Sequence, residues 1–240
     1  MSPLRKTLLL LFIFSVAMGF METAVVVYLR EIYYPAGFRF PLVPIPGPMA
    51  LVEVLREAAT VVMLITIGML AGKSAAQRFC FFLFCFAVWD IFYYVFLKLL
   101  LGWPESLFTF DILFLIPVPW TGPVLAPCLA SLTMIFLTVI LVYYQEKNIP
   151  VRFLPMEWWL LTSGAAVMIA SFVRDYFVYA TQGGSQDVVT GNTRNLFDDF
   201  SQYVPQSYSW LLFLSGEVMI LVSVVLIIRR LNRVGRLRPL

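Results

Sequence analysis

Six apolar runs, each long enough to cross a lipid bilayer, constrain this chain more than any other feature. They lie at roughly 7–29, 51–72, 79–101, 122–144, 156–180 and 209–228. A helix rises about 1.5 Å per residue, so about 20 apolar residues cover a hydrocarbon core about 30 Å thick. Lipid offers backbone groups no hydrogen-bond partners, and a helix satisfies its own. The composition agrees: 61% of the residues are hydrophobic and 13% charged, against roughly half and a quarter in soluble domains. The expected fold is all-α and integral to a membrane, a six-helix bundle forming one polytopic unit over residues 1–240. The first run exceeds the roughly 7–15 residues of a signal-peptide core and ends in no small-x-small cleavage site, so it reads as a span.

Loop charge sets the expected orientation. Arg5 and Lys6 precede span 1, Lys73 and Arg78 follow span 2, and Lys147 and Arg152 follow span 4. Arg229, Arg230, Arg233, Arg236 and Arg238 follow span 6. These are eleven of the 17 basic residues, and only Glu146 and Glu157 of the 14 acids share their side. Positive charge marks the cytoplasmic side, which places both termini in the cytoplasm and the chain in the cytoplasmic membrane. The scattered basic residues encode topology and show no nucleic-acid footprint. The arginine-rich tail "RRLNRVGRLRPL" suits contact with anionic lipid.

The opposite connections are long and apolar. "YYPAGFRFPLVPIPGP" (33–48) holds five prolines, which favour extended backbone and predict a stiff strap over the helix ends. Residues 103–123 carry an apolar stretch too short to span, which predicts a short re-entrant or interfacial helix between spans 3 and 4. Pro123 is expected to open span 4 behind Thr121 as N-cap. Residues 195–204 suit a short amphipathic surface helix, and Asp198 and Asp199 read as solvated loop charges. "GMLAG" (68–72) predicts close helix packing.

Asp90 interrupts "AVWDIFYYVFLK" (87–98) near the middle of its span. A charge at that depth costs at least about 2.5–3.5 kcal/mol, so it should face the bundle interior and find a partner. Glu22, Glu57 and Glu217 lie in the same half of their spans, with Arg174 and Asp175 near the end of span 5. Helical spacing puts Glu53, Arg56 and Glu57 on one face and aligns Asp90, Tyr94 and Lys98. The candidate ligand or ion pocket is thus Glu22, Arg56, Glu57, Asp90, Tyr94, Arg174, Asp175 and Glu217, with Arg56 or Arg174 as the expected partner of Asp90.

Histidine is absent, which disfavours haem ligation, His-based zinc sites and Ser-His-Asp chemistry. No cofactor or metal site is expected. The leading expectation is a protein that binds or transports a small ligand, a lipid, or a proton or cation through an outward-facing cavity. A structural or assembly subunit, docking a protein partner through its outward loops, is the alternative. An intramembrane lipid-modifying enzyme ranks last, because no nucleophile stands beside an evident base.

Overall fold

The computed structural model describes residues 2–182 and 202–236. Six long helices carry the chain: α1 (Pro3–Tyr33), α2 (Gly47–Ala71), α3 (Ala75–Leu101), α4 (Leu125–Glu146), α5 (Pro155–Gln182) and α6 (Trp210–Arg236). All six are long and apolar enough to span a bilayer, and the chain is a multi-pass membrane protein. Leu70, Leu99 and Leu211 stand 77%, 73% and 86% exposed, an arrangement that suits lipid and penalises water. The expected helix at 195–204, Asp198, Asp199 and Arg238 lie outside the described residues.

Local chemistry sets the helix ends. Ser2 and Ser74 act as N-caps of α1 and α3, their hydroxyls accepting from the backbone of Arg5 and Gln77. Gly102 ends α3 in the left-handed region at φ 67°, where a side chain would be strained. Lys98 donates to the Gly102 and Pro104 carbonyls, so it caps the helix end and does not extend the Asp90–Tyr94 stripe.

Helix α3 is the hub, with α1, α2 and α4 packed around it, while α5 pairs with α6. At the face where α1 begins and α6 ends, Arg5 pairs with Glu146, Tyr144 donates to Asn232, and Arg230 pairs with the buried Glu157. The α2–α3 turn is tight because a Cβ on Gly68 or Gly72 would stand 2.8 Å or 2.5 Å from α3 backbone nitrogen. The "GMLAG" stretch therefore packs against its own neighbouring helix.

The α3–α4 connection departs from expectation. It is an antiparallel hairpin of β1 (Phe110–Phe114) and β2 (Trp120–Pro123), paired Phe110↔Pro123 through Phe114↔Trp120 with a bulge after Ile112. The expected short helix is not formed, because the prolines at 117 and 119 break it and cross-strand aromatics reward an extended ladder. The hairpin is nonetheless inserted between helices: Phe114, Ile116 and Trp120 meet Ala58, Val61 and Phe86 around an apolar pocket. Non-helical backbone at that depth is tolerated only inside protein or beside a cavity. Pro123 closes β2, and Thr121 bonds the Tyr203 hydroxyl at 2.9 Å. Neither residue opens α4, whose N-cap is Val124.

Candidate functional site

A cavity of about 170 Å³ lies between α1, α2, α3, strand β1 and the proline-rich strap that follows α1. Five carboxylates line it, Glu22, Glu53, Glu57, Asp90 and Asp111, together with two guanidiniums, Arg30 and Arg56. Helical spacing assembles most of them. Glu22 and Arg30 stand at i and i+8 on α1, Glu53, Arg56, Glu57 and Thr60 share a face of α2, and α3 contributes Trp89, Asp90, Tyr93 and Tyr94.

Arg56 joins two helices. Its Nε donates to Glu53 Oε2 at 2.9 Å on its own helix, and its Nη1 pairs with Glu22 of α1. The Thr60 hydroxyl adds a bond to Glu22 at 3.4 Å. Since α1 and α2 both pack on α3 and scarcely touch each other, this ion pair bridges a slot between them.

Arg30 holds the hairpin. Its Nη2 stands 3.4 Å from Asp111 Oδ1, and its guanidinium centre lies 3.8 Å from the Trp103 ring and 4.3 Å from the Phe38 ring. Such stacking favours a cation. The Tyr94 hydroxyl donates to Asp111 Oδ2 at 3.1 Å. Burial pushes the Asp111 carboxyl up to about 6, while the Arg30 charge, the Ile112 N–H and the Tyr94 hydroxyl pull against that rise. Arg30 Nη1 and the Trp89 indole nitrogen are buried without a hydrogen-bond partner.

Glu57 and Asp90 are held differently. Glu57 Oε2 accepts the backbone N–H of Leu115 at 2.8 Å, and Asp90 Oδ2 accepts the Ser131 hydroxyl of α4 at 2.8 Å. Neither belongs to an ion pair among the described residues. Asp90 was expected to meet Arg56 or Arg174; Arg56 is taken by Glu22 and Glu53, and a serine takes that place.

Of the eight residues expected to share a pocket, Glu22, Arg56, Glu57, Asp90 and Tyr94 line this cavity. The other three lie elsewhere. Glu217 of α6 accepts from Thr133 of α4 and keeps Oε2 buried without a partner. Arg174 is exposed and donates to Ser209 at 3.1 Å. Asp175 accepts from the Tyr203 hydroxyl at 2.7 Å and the Gln206 backbone at 3.1 Å. Helix α4 lies on the path between Asp90 and Glu217, touching one through Ser131 and the other through Thr133.

Sequence reading missed Arg30 and Asp111 and left Glu53 out of the pocket. The i, i+4, i+8 run of Glu22, Val26 and Arg30 would have pointed to Arg30. Asp111, an acid opening the apolar run "DILFLI", carried a weaker signal of the same kind. Among the described residues, no three carboxylates or thiolates gather closely enough to hold a metal ion.

No family model, curated protein or solved structure matches the chain. The geometry of the cavity stands alone.

Proposed function

We propose that this protein binds or carries a small cation-bearing ligand in the cavity between α1, α2, α3 and the hairpin. One observation carries the reading. Glu57 and Asp90 each spend one oxygen on a neutral donor and have no guanidinium partner, whereas Glu22, Glu53 and Asp111 are matched to arginines. A buried carboxylate without a counter-charge is costly and takes up a proton or a cation. Trp89, Tyr93 and Tyr94 surround the same space, and aromatic faces favour cations. An organic cation suits these walls better than a bare metal ion, which needs several converging oxygens.

The loop charges orient the cavity toward the outside of the cytoplasmic membrane, with both chain ends in the cytoplasm. The basic end of α6 then faces anionic lipid.

The test is ligand binding and vesicle uptake with the purified full chain, using small amines as probes and a pH gradient as drive. Asp90→Asn and Glu57→Gln should each weaken amine binding by about tenfold or more, the scale of one charged contact. Unaltered binding in both variants, or no binding by the parent chain, sinks the reading.

A further inference from the structure

The carboxylate-lined cavity shares a wall with the apolar pocket beside the hairpin: Phe114 lines both. The apolar pocket measures about 420 Å³ and its walls expose no polar atom. Benzene needs only about 150 Å³, so the pocket has room for a hydrocarbon chain. Ala58, Val61, Phe86 and Phe114 are each partly exposed, and so offer surface to an occupant.

The same two helices build both spaces, one turn apart. Val61 follows Glu57 by four residues on α2, and Phe86 precedes Asp90 by four on α3, each step a rise of about 6 Å. The short α2–α3 turn reverses the chain between them, so both steps lead toward that turn. Val61 and Phe86 lie near the middle of their helices, with the carboxylates one turn nearer the strap. An amphiphile in a bilayer leaflet keeps the same order, because charge at the bilayer centre is costly.

The free oxygens of Glu57 and Asp90 are not among the enclosed unpartnered atoms, so they keep open surface at the cavity that both residues line. A short amine leaves the apolar pocket unfilled, and a lipid chain alone leaves these carboxylates without a counter-charge. Resting on the cation-site reading above, we infer that the ligand is an alkylamine. Its ammonium group occupies the carboxylate-lined cavity, and its chain passes Phe114 into the apolar pocket.

The probes are propylamine, hexylamine and hexanol, which present the charged head, the head with a chain, and the chain with a neutral head. Equilibrium dialysis against the full chain in phosphatidylcholine nanodiscs, with empty nanodiscs subtracted, gives each affinity relative to the free aqueous probe. Burying one methylene from water strengthens binding about fourfold. Hexylamine should therefore bind at least about tenfold more tightly than propylamine. Hexanol, without a charge, should bind at least about tenfold more weakly than hexylamine. Ala58→Phe fills the apolar pocket; it should weaken hexylamine about tenfold while propylamine stays within about twofold. Val61→Phe fills the same pocket from the next turn and gives the same reading where Ala58→Phe does not fold.

Hexylamine no tighter than propylamine, or filled variants that treat the two amines alike, overturns the inference and leaves the cation site standing. Hexanol as tight as hexylamine overturns it too, since the pocket would then hold hydrocarbon without the carboxylates. If neither amine binds, the inference and the reading beneath it fall together.

Discussion

Glu57 reaches from α2 to the backbone of Leu115, accepting its N–H at 2.8 Å just beyond strand β1. A hairpin inserted between helices carries amide groups that lipid cannot satisfy, and this carboxylate satisfies one of them. The same side chain thus anchors the hairpin and lends its other oxygen to the cavity. Its two roles are separable by substitution.

Glu57→Gln retains a side-chain oxygen able to accept from Leu115, whereas Glu57→Leu leaves that N–H without a partner. The leucine variant should lose about 1–3 kcal/mol and the glutamine variant markedly less. Thermal unfolding in detergent, with size-exclusion profiles as a control, measures the difference. Equal losses would show that the Leu115 contact contributes nothing.

Asp111 gives a pH dependence of definite sign. Its carboxyl is raised by burial to about 6 from an ordinary 3.8, so the folded protein holds this proton more tightly than the unfolded chain. The resulting stabilisation is fully present below about 4 and is lost as pH rises through about 6. Stability should therefore fall across this window by up to about 3 kcal/mol, at 1.36 kcal/mol per unit. Asp111→Asn should flatten that segment of the melting-temperature profile between pH 4 and 7. A profile with the same slope in the variant would exclude Asp111 as its source.

Arg56 neutralises Glu22 and Glu53 together. Arg56→Met alone strands both carboxylates and should cost about 3–5 kcal/mol, the usual penalty for breaking a buried pair from one side. Arg56→Met combined with Glu22→Gln and Glu53→Gln removes the stranded charge and should recover much of that loss. Denaturant melts of the single and triple variants, compared at one pH, decide it. A triple variant less stable than the single would refute the charge-compensation account.

At the α5–α6 crossing, a Cβ on Gly216 would fall 2.6 Å from the Gly164 carbonyl oxygen. Real Cβ atoms do not approach that closely, so the helices must part. Gly216→Val should destabilise the pair by about 1–3 kcal/mol or more, with lowered yield of monodisperse protein and a lower melting temperature. An unchanged melting temperature would mean that α5 and α6 do not cross here. Because the neighbouring Glu217 faces α4 through Thr133, its environment should shift as well.

The division between sequence and structure follows the range of the forces involved. Span number, approximate span limits and the shared face of Glu53, Arg56 and Glu57 are local properties. Each depends on apolar length or helical period over a few turns, so linear sequence carries them. The same logic located Glu22 and Asp90 at depth. Hairpin formation at 110–123 escaped because a short apolar run suits helix and strand alike until a partner strand is seen.

Which helices meet was decided only in three dimensions. Glu22, Glu57, Asp90 and Glu217 look equivalent in sequence, each a lone acid in an apolar helix. Packing both α1 and α2 on α3 gathers the first three around one cavity and leaves Glu217 with Thr133 on the far side of α4. Arg30 and Asp111 joined because the hairpin folds back between helices, bringing together residues 81 positions apart. Helical period fixes where a side chain points on its own helix, but the neighbour it faces is set by the summed packing of every helix at once.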